Sequence, residues 1–257
     1  MDAHGHRVIL LGTGALMPSN RRGLSASLLV TKKDHILVDC GMGTSQRLKQ
    51  AGIHPTDLSK ILITHLHIGH CSELAQIIVE ACGLHDNQVL ALFGPKGIRA
   101  SVESMLVNHR APGEVVKRAM VITEIEPATC LSHDGEITCT PVEHGESLAL
   151  GYRIETSEGS IGFSGDTSPC DRLIALIRGV DLLIHECTFP DHCGLQAKHT
   201  IPSQLGFIGQ SAGVRRLAMT HFAPICDEFR ESMIASVGAQ YHGDIIFGED
   251  LMSLSIF

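Results

Sequence analysis

Short apolar runs recur along the chain, each broken off by a glycine, an aspartate or a histidine. RVILLGTG, SASLLVT and HILVDCG read as three opening strands, and TSQRLKQAG as an amphipathic helix that Gly52 stops. KILITH reads as a buried strand, and SELAQIIVEACG as a helix capped by Ser72 and ended by Gly83. VLALFG gives a further strand, and PKGIRASVESML a helix with Pro95 near its start. After a polar stretch come the strands EITCTPVEH, LALGYRIE and SIGFSGD, the helix CDRLIALIRG and the strand DLLIHE. PSQLGFIGQSAG reads as a helix feeding the strand RRLAMTH, and a last helix precedes the strands GDIIFG and LMSLSI. Two β-rich halves, each with helices, predict sheet packed on sheet with helices outside. With no linker or low-complexity stretch, residues 1–257 read as one α/β (α+β) domain.

The polar residues of interest stand where these strands stop: Asp39, His65, His144, Asp166, His185 and His221. Strand ends are where a rigid scaffold presents functional groups to a cleft. The stretch THLHIGH adds His67 and His70 to His65, so one short loop aims three imidazoles at one region. A lone histidine at a strand end is more often a hydrogen-bonded structural residue than a ligand. Five histidines and a carboxylate at such exits instead build two adjacent nitrogen/oxygen sites suited to zinc, manganese or iron.

Charge and composition narrow the partners. Net charge is −8, aromatics are 4% of residues, and the basic groupings are short and scattered, which counts against nucleic acid. Nine dispersed cysteines without a CxxC pair read as reduced thiols of a cytoplasmic protein. The N-terminus lacks the pattern of a signal peptide, and no apolar run is long enough for a membrane span. The expected partners are therefore a small-molecule substrate and a second copy of the chain in a homodimer, with no membrane.

The order of motifs resembles the metallo-β-lactamase superfamily, in its ribonuclease Z-like branch, nearly end to end. LGTGALMPSNRRGLSASLLV, ILVDCGMGT, ITHLHIGH, GPKGI, VEHG, FSGDT, LLIHECTF, KHT and LAMTHFAP follow in the family's order. The resemblance implies a four-layer αββα sandwich with metals in a cleft between the sheets. It implies a first site of His65, His67 and His144 with Asp166 bridging, and a second of His70, Asp166 and His221. It places Asp39 behind the histidine loop, and His185, Glu186 and His199 near the scissile bond for proton transfer. Arg22, in PSNRRG, matches part of a substrate-binding loop together with Pro18; Asn20 and Gly23 depart from it.

Two further departures bear on function. The family's long basic arm for transfer RNA is replaced by ETSEGSI, a hairpin-sized turn. The HxHxDH signature has Gly69 in place of its aspartate, which in the family binds the second metal and positions the attacking water. A native centre adapted to the glycine, an introduced inactivating change, and a chain that has given up catalysis all remain open. Glu73, where the family has glycine, reads as a solvated first-turn residue or as a carboxylate able to swing toward the metals. The leading expectation is a zinc-dependent hydrolase of a small ester-like substrate (lactone, thioester, amide or phosphodiester), using a metal-activated water. The alternatives are a ribonuclease Z-like phosphodiesterase on RNA ends and a catalytically impaired metal-bound binding protein. Specificity is expected to rest on MPSNRRGLSA, LVNHRAPGEVV and FPDHCGLQA, which carry no readable code.

Overall fold

In strands buried on both faces, alternate side chains point to opposite layers, so each strand can serve two cores at once. The first strand, β1 (Arg7–Gly12), does this: Val8 and Leu10 face one cluster of buried residues, Ile9 and Leu11 another. The computed structural model describes residues 5–16, 19–82, 89–108, 120–125, 136–193 and 198–257. Pro18, Gly83, Cys130 and much of LVNHRAPGEVV and FPDHCGLQA lie outside the described residues.

The first sheet has seven strands, the second six. β1 is flanked by β2 (Ala26–Val30) and, at the sheet edge, by the C-terminal strand β13 (Met252–Ser255), both antiparallel. From β2 the sheet continues through β3 (His35–Val38), β4 (Lys60–Leu62) and β5 (Leu90–Pro95) to β6 (Met120–Ile125). β3 to β6 run parallel. The second sheet runs β7 (Ile137–His144), β8 (Ser147–Thr156), β9 (Gly159–Phe163), β10 (Leu182–Glu186), β11 (Arg216–Thr220), β12 (Asp244–Phe247), parallel from β9 onward.

The two sheets pack face to face through Val8, Leu10, Val38 and Leu62 on one side and Tyr152, Phe163, Leu182 and Ile184 on the other. Helices α1 (Thr44–Gln50), α3 (Leu74–Cys82) and α4 (Ile98–Asn108) cover the outside of the first sheet, with Leu48, Ile77 and Val102 in its outer cluster. Helices α5 (Asp171–Leu176), α6 (Pro202–Ala212) and α7 (Arg230–Gly238) cover the second through Leu173, Leu205 and Val237. The result is the four-layer αββα sandwich.

Three local expectations are corrected. Ser72 does not cap a long helix: a four-residue helix α2 (Ile68–Cys71) comes first, Ser72 ends it, and α3 begins at Leu74. Pro95 closes β5 by pairing with Ile125, so α4 starts only at Ile98. The strand β6 has no counterpart in the pattern reading, because it lies at the sheet edge, where most of its residues are only half-buried or exposed.

Parallel strands bring their C-terminal ends to one edge, and in both sheets that edge faces the same cleft. Cross-sheet bonds fix the alignment there. The Tyr152 hydroxyl donates to the Ile63 carbonyl at 2.8 Å, and the Leu150 amide donates to the Thr64 carbonyl at 2.9 Å.

Arg22 belongs to this framework and not to a substrate surface. It is 5% exposed, and its guanidinium donates to Asp227 at 2.6 Å, to Thr13 Oγ1 at 2.6 Å and to the Gly248 carbonyl at 2.7 Å. It also lies 4.6 Å from the centre of the Phe222 ring. Its donors are taken up inside the protein, where they tie the loop after β1 to the segments after β11 and β12. Replacing it, Arg22→Met, should cost about 2–3 kcal/mol, since the Asp227 carboxylate loses its partner. A urea midpoint unchanged from the parent would show that the ion pair is solvated and slack.

Candidate metal centre

Each candidate ligand leaves a strand or the loop beyond it. His65 follows β4, with Thr64 between sheet and ring; His67 and His70 flank the start of α2; His144 ends β7. Asp166 lies beyond β9, and His221 directly after β11. Asp39 and His221 hold left-handed backbones, with φ of 60° and 59°. For residues other than glycine such backbones are uncommon and concentrate at functional sites.

The inner ring nitrogens converge. His65 Nε2 lies 3.0 Å from His67 Nδ1, which lies 3.3 Å from His144 Nε2, and His70 Nε2 is 3.2 Å from His221 Nε2. Asp166 sits between the two groups. Its Oδ2 is 3.7 Å from His65 Nε2, 3.8 Å from His144 Nε2 and 3.3 Å from His221 Nε2, and its Oδ1 is 3.4 Å from His70 Nε2. The structure thus brings together all six residues that the sequence put forward as metal ligands.

The outer nitrogens are all engaged. His65 Nδ1 meets Thr64 Oγ1 at 3.1 Å, and His67 Nε2 meets Ser147 Oγ at 2.9 Å. His70 Nδ1 meets Asp39 Oδ2 at 2.7 Å, His144 Nδ1 the Lys198 carbonyl at 2.9 Å, and His221 Nδ1 Thr188 Oγ1 at 2.8 Å. Such outer contacts fix ring orientation and tautomer in metal sites. Thr64, Ser147 and Thr188 escaped the sequence reading because hydroxyl residues are common near strand ends. Parity carried a signal for Thr188, which is two residues past Glu186 in extended chain.

Electrostatics favour lone pairs over protons at most of these rings. Burial pushes His65 and His221 down, the latter to about 3 despite the nearby Asp166 carboxylate, and burial also lowers His67 and His144. His70 differs: burial opposes its charge, but Asp166 and Asp39 outweigh this and lift it to about 10. Burial alone would raise Asp166, yet His221 and His70 hold it well below the usual carboxylate range.

These donors fit a cation. Zinc–nitrogen bonds of about 2.0–2.1 Å put tetrahedral ligands about 3.3–3.4 Å apart, close to the spacings above. Between two facing ring nitrogens only one can donate a proton, so hydrogen bonding alone satisfies the ring of histidines poorly. Among the described residues, groups of donor atoms within 4.8 Å of one another include His65/His67/His144 and His65/His70/Asp166.

Beside the ring stands a second polar pair. His199 Nδ1 lies 2.9 Å from Glu186 Oε1, and Thr188 Oγ1 donates to Glu186 Oε2 at 2.7 Å. Burial raises the Glu186 carboxyl. Burial would lower half-buried His199, but its hydrogen bond to Glu186 raises it overall. His185 does not join them. On β10 it alternates with Glu186: Leu183 and Cys187 face the outer helix layer, Leu182 and Ile184 the sheet interface. His185 is fully buried on the helix side, its Nδ1 is 2.7 Å from the Glu186 carbonyl, and burial lowers it to about 4.

Glu73 is likewise elsewhere. Its carboxylate, half-buried, accepts from the amides of Gly43 at 2.7 Å and Ser45 at 2.8 Å, so it caps α1 and is not turned toward the centre. The cleft over the centre has a volume of about 460 Å³ and is lined by Lys198 and His199 and by the apolar Leu16, Ile68 and Phe189, the last with its ring against that of His199. Gly69 lies on its wall.

Comparison with known proteins agrees with this geometry. Residues 34–222 match the Beta-lactamase superfamily domain. The chain is 30% identical to the Ribonuclease Z of Exiguobacterium sibiricum, over 83% of this chain and 87% of that one. It is 28% identical to a Mycobacterium Ribonuclease Z over 97% and 95% of the two chains. The crystal structure of human tRNase Z, short form, superposes with a TM-score of 0.81 at 24% identity, covering 98% and 99%, a likeness of fold. A fold of two sheets between helices, the run of matched motifs and relatives spanning nearly the whole chain agree: the protein is a hydrolase of the metallo-β-lactamase superfamily, in its ribonuclease Z-like branch.

Proposed function

We propose that the protein is a metal-dependent phosphodiesterase acting at RNA ends. What carries the reading is a ring of five histidines and Asp166 beside the Glu186–His199 pair, in a chain that aligns with ribonuclease Z relatives over almost their full length. His65, His67 and His144 would hold one cation, His70 and His221 a second, with Asp166 facing both. Zinc, or manganese or iron in its place, supplies a water of lowered pKa and polarises a phosphoryl oxygen.

The chain's own residues orient and protonate. Hydrogen-bonded to Glu186, His199 keeps its proton further toward neutral pH than a free imidazole and stands in the cleft as a donor to the leaving oxygen. Thr188, touching Glu186, His199 and His221, sets these groups in register. Exposed Lys198 at the rim offers a cation to phosphate.

This reverses the order expected from composition, which set nucleic acid aside in favour of a small ester-like substrate. A net charge of −8 describes the whole surface, whereas the cleft mouth carries Lys198 and His199. The hairpin between β8 and β9 has only Ser157 and Glu158 at its turn, so the grip beyond the cleft is short and suits single-stranded ends better than folded RNA. The apolar wall of Leu16, Ile68 and Phe189 keeps a small ester as the second reading.

A labelled oligonucleotide with a 3′ extension, offered with zinc or manganese, tests the choice. Cleavage should stop with a chelator and fall steeply between about 50 and about 200 mM salt. Turnover of lactones or thioesters with oligonucleotides left intact at every salt concentration would reject the RNA reading.

Two further outcomes follow from the residue roles. His65→Ala and His67→Ala should each lower the metal retained after dialysis, and Asp166→Asn should lower it most because both donor groups face that carboxylate. Unchanged metal per chain in all three would remove the ligand assignment. His199→Ala should slow turnover by about 10²–10⁴-fold. Because the protonated form is the active one, the parent rate should fall as pH rises past the His199 pKa, at a higher pH than an unperturbed histidine would give. Glu186→Gln takes away the charge that raises it and should move the fall to lower pH; a limb that stays put would separate the two residues.

A further inference from the structure

The glycine in the histidine loop is not there for the backbone's sake. Gly69 lies within α2 and outside the positive-φ glycines, so any L-residue fits its conformation. Nor is it there to avoid a clash. A Cβ built on Gly69 would have Leu16 Cα, at 3.8 Å, as its one neighbour within 4 Å, an ordinary contact. Gly41, in the next loop, is the contrast: there a Cβ would meet the Gly69 carbonyl at 2.3 Å. What Gly69 contributes is open space on the cleft wall, in the same cleft as His70, Asp166 and His221.

We propose that this space is an anion subsite, in which a carboxylate or phosphoryl oxygen of the ligand seats beside Gly69 and completes the ligand set of the cation held by His70, His221 and Asp166. The proposal rests on the two-cation reading above. Two divalent ions would face a single carboxylate among the six ligands, Asp166, leaving a strong surplus of positive charge. His70, Asp166 and His221 are nearly buried and Leu16 and Ile68 form an apolar rim, so an oxyanion entering there is poorly screened. Lys198, which lines the same cleft, adds to the attraction. The space would let a ligand oxygen complete a site of three protein donors without any rearrangement of the loop.

The test is a zinc titration of chelator-stripped protein by calorimetry and metal counting, in a non-coordinating buffer, with and without formate or inorganic phosphate. The parent should take one zinc tightly and a second weakly, and saturating anion should tighten the second by about tenfold or more. Gly69→Asp, which carries its own carboxylate into the space, should bind the second zinc tightly and ignore the anions. Tightening by formate points to carboxylate ligands and tightening by phosphate alone to phosphoryl oxygen; either supports the subsite. An anion effect equal in both proteins, or a parent that binds two zincs tightly without anion, would overturn it. A parent insensitive to anion beside an aspartate variant that binds two would also overturn it while leaving the ligand set intact. A second zinc absent from both proteins would instead mean that His70, Asp166 and His221 do not form a site.

Discussion

The carboxylate of Asp39 organises the centre. It accepts from the Thr64 amide at 2.8 Å, from the Thr64 hydroxyl at 2.9 Å and holds His70 Nδ1 at 2.7 Å. A chain leaving a buried parallel strand must satisfy its first free amide, or pay the cost of an orphaned polar group. Asp39 does this for β4 from the end of β3, and the same carboxylate aims the His70 ring. The left-handed backbone at Asp39 costs on the order of 1–3 kcal/mol. Charge-assisted hydrogen bonds of this number offset it. Because β3 and β4 are adjacent and parallel, the sheet register decides where the histidine loop begins, and so where His65 and His67 fall.

Charge completes what the strands arrange. Burial and the neighbouring rings disfavour charge on four of the five inner rings, whereas Asp166 and Asp39 favour it on His70. Asp166 can remain ionised in a nearly closed site only because these rings surround it. At these four rings the lone pair is therefore favoured beside the Asp166 counter-charge, whereas a cation on His70 Nε2 would have to displace a proton. Glu186 and His199 form a separate hydrogen-bonded pair one step outward, linked to the ring through Thr188.

Much of this was legible in the sequence. Strands buried on both faces give unbroken apolar runs, and the polar residue ending each run marked the cleft and gave four of the six proposed ligands; His67 and His70 came from the histidine cluster that follows β4. Two of the failures come from long-range packing. Arg22 reads as an exposed loop cation until Asp227 and Gly248, distant in sequence, close around it. Glu73 reads as a helix-end carboxylate, but its partners are amides of a different helix. His185 is the exception, since strand alternation alone puts it on the opposite face from Glu186. The short α2 was hidden because four residues are too few to show a period.

Gly69 changes the charge of the centre without undoing its architecture. The flanking rings are held from behind by Ser147 and Asp39, neither of which depends on a side chain at residue 69. A cluster of imidazoles facing one another at 3.0–3.3 Å, all but His67 buried, is a burden on folding when nothing is bound, because lone pairs there lack donors. Here every outer nitrogen of the five rings is nonetheless tied down, by hydroxyls, a backbone carbonyl and a carboxylate drawn from both sheets. Mere packing would not require that arrangement, since apolar side chains of similar volume would fill the same space at lower cost. The glycine is therefore best understood as a change in what the centre accepts from its ligand, made within a framework that still holds its donors.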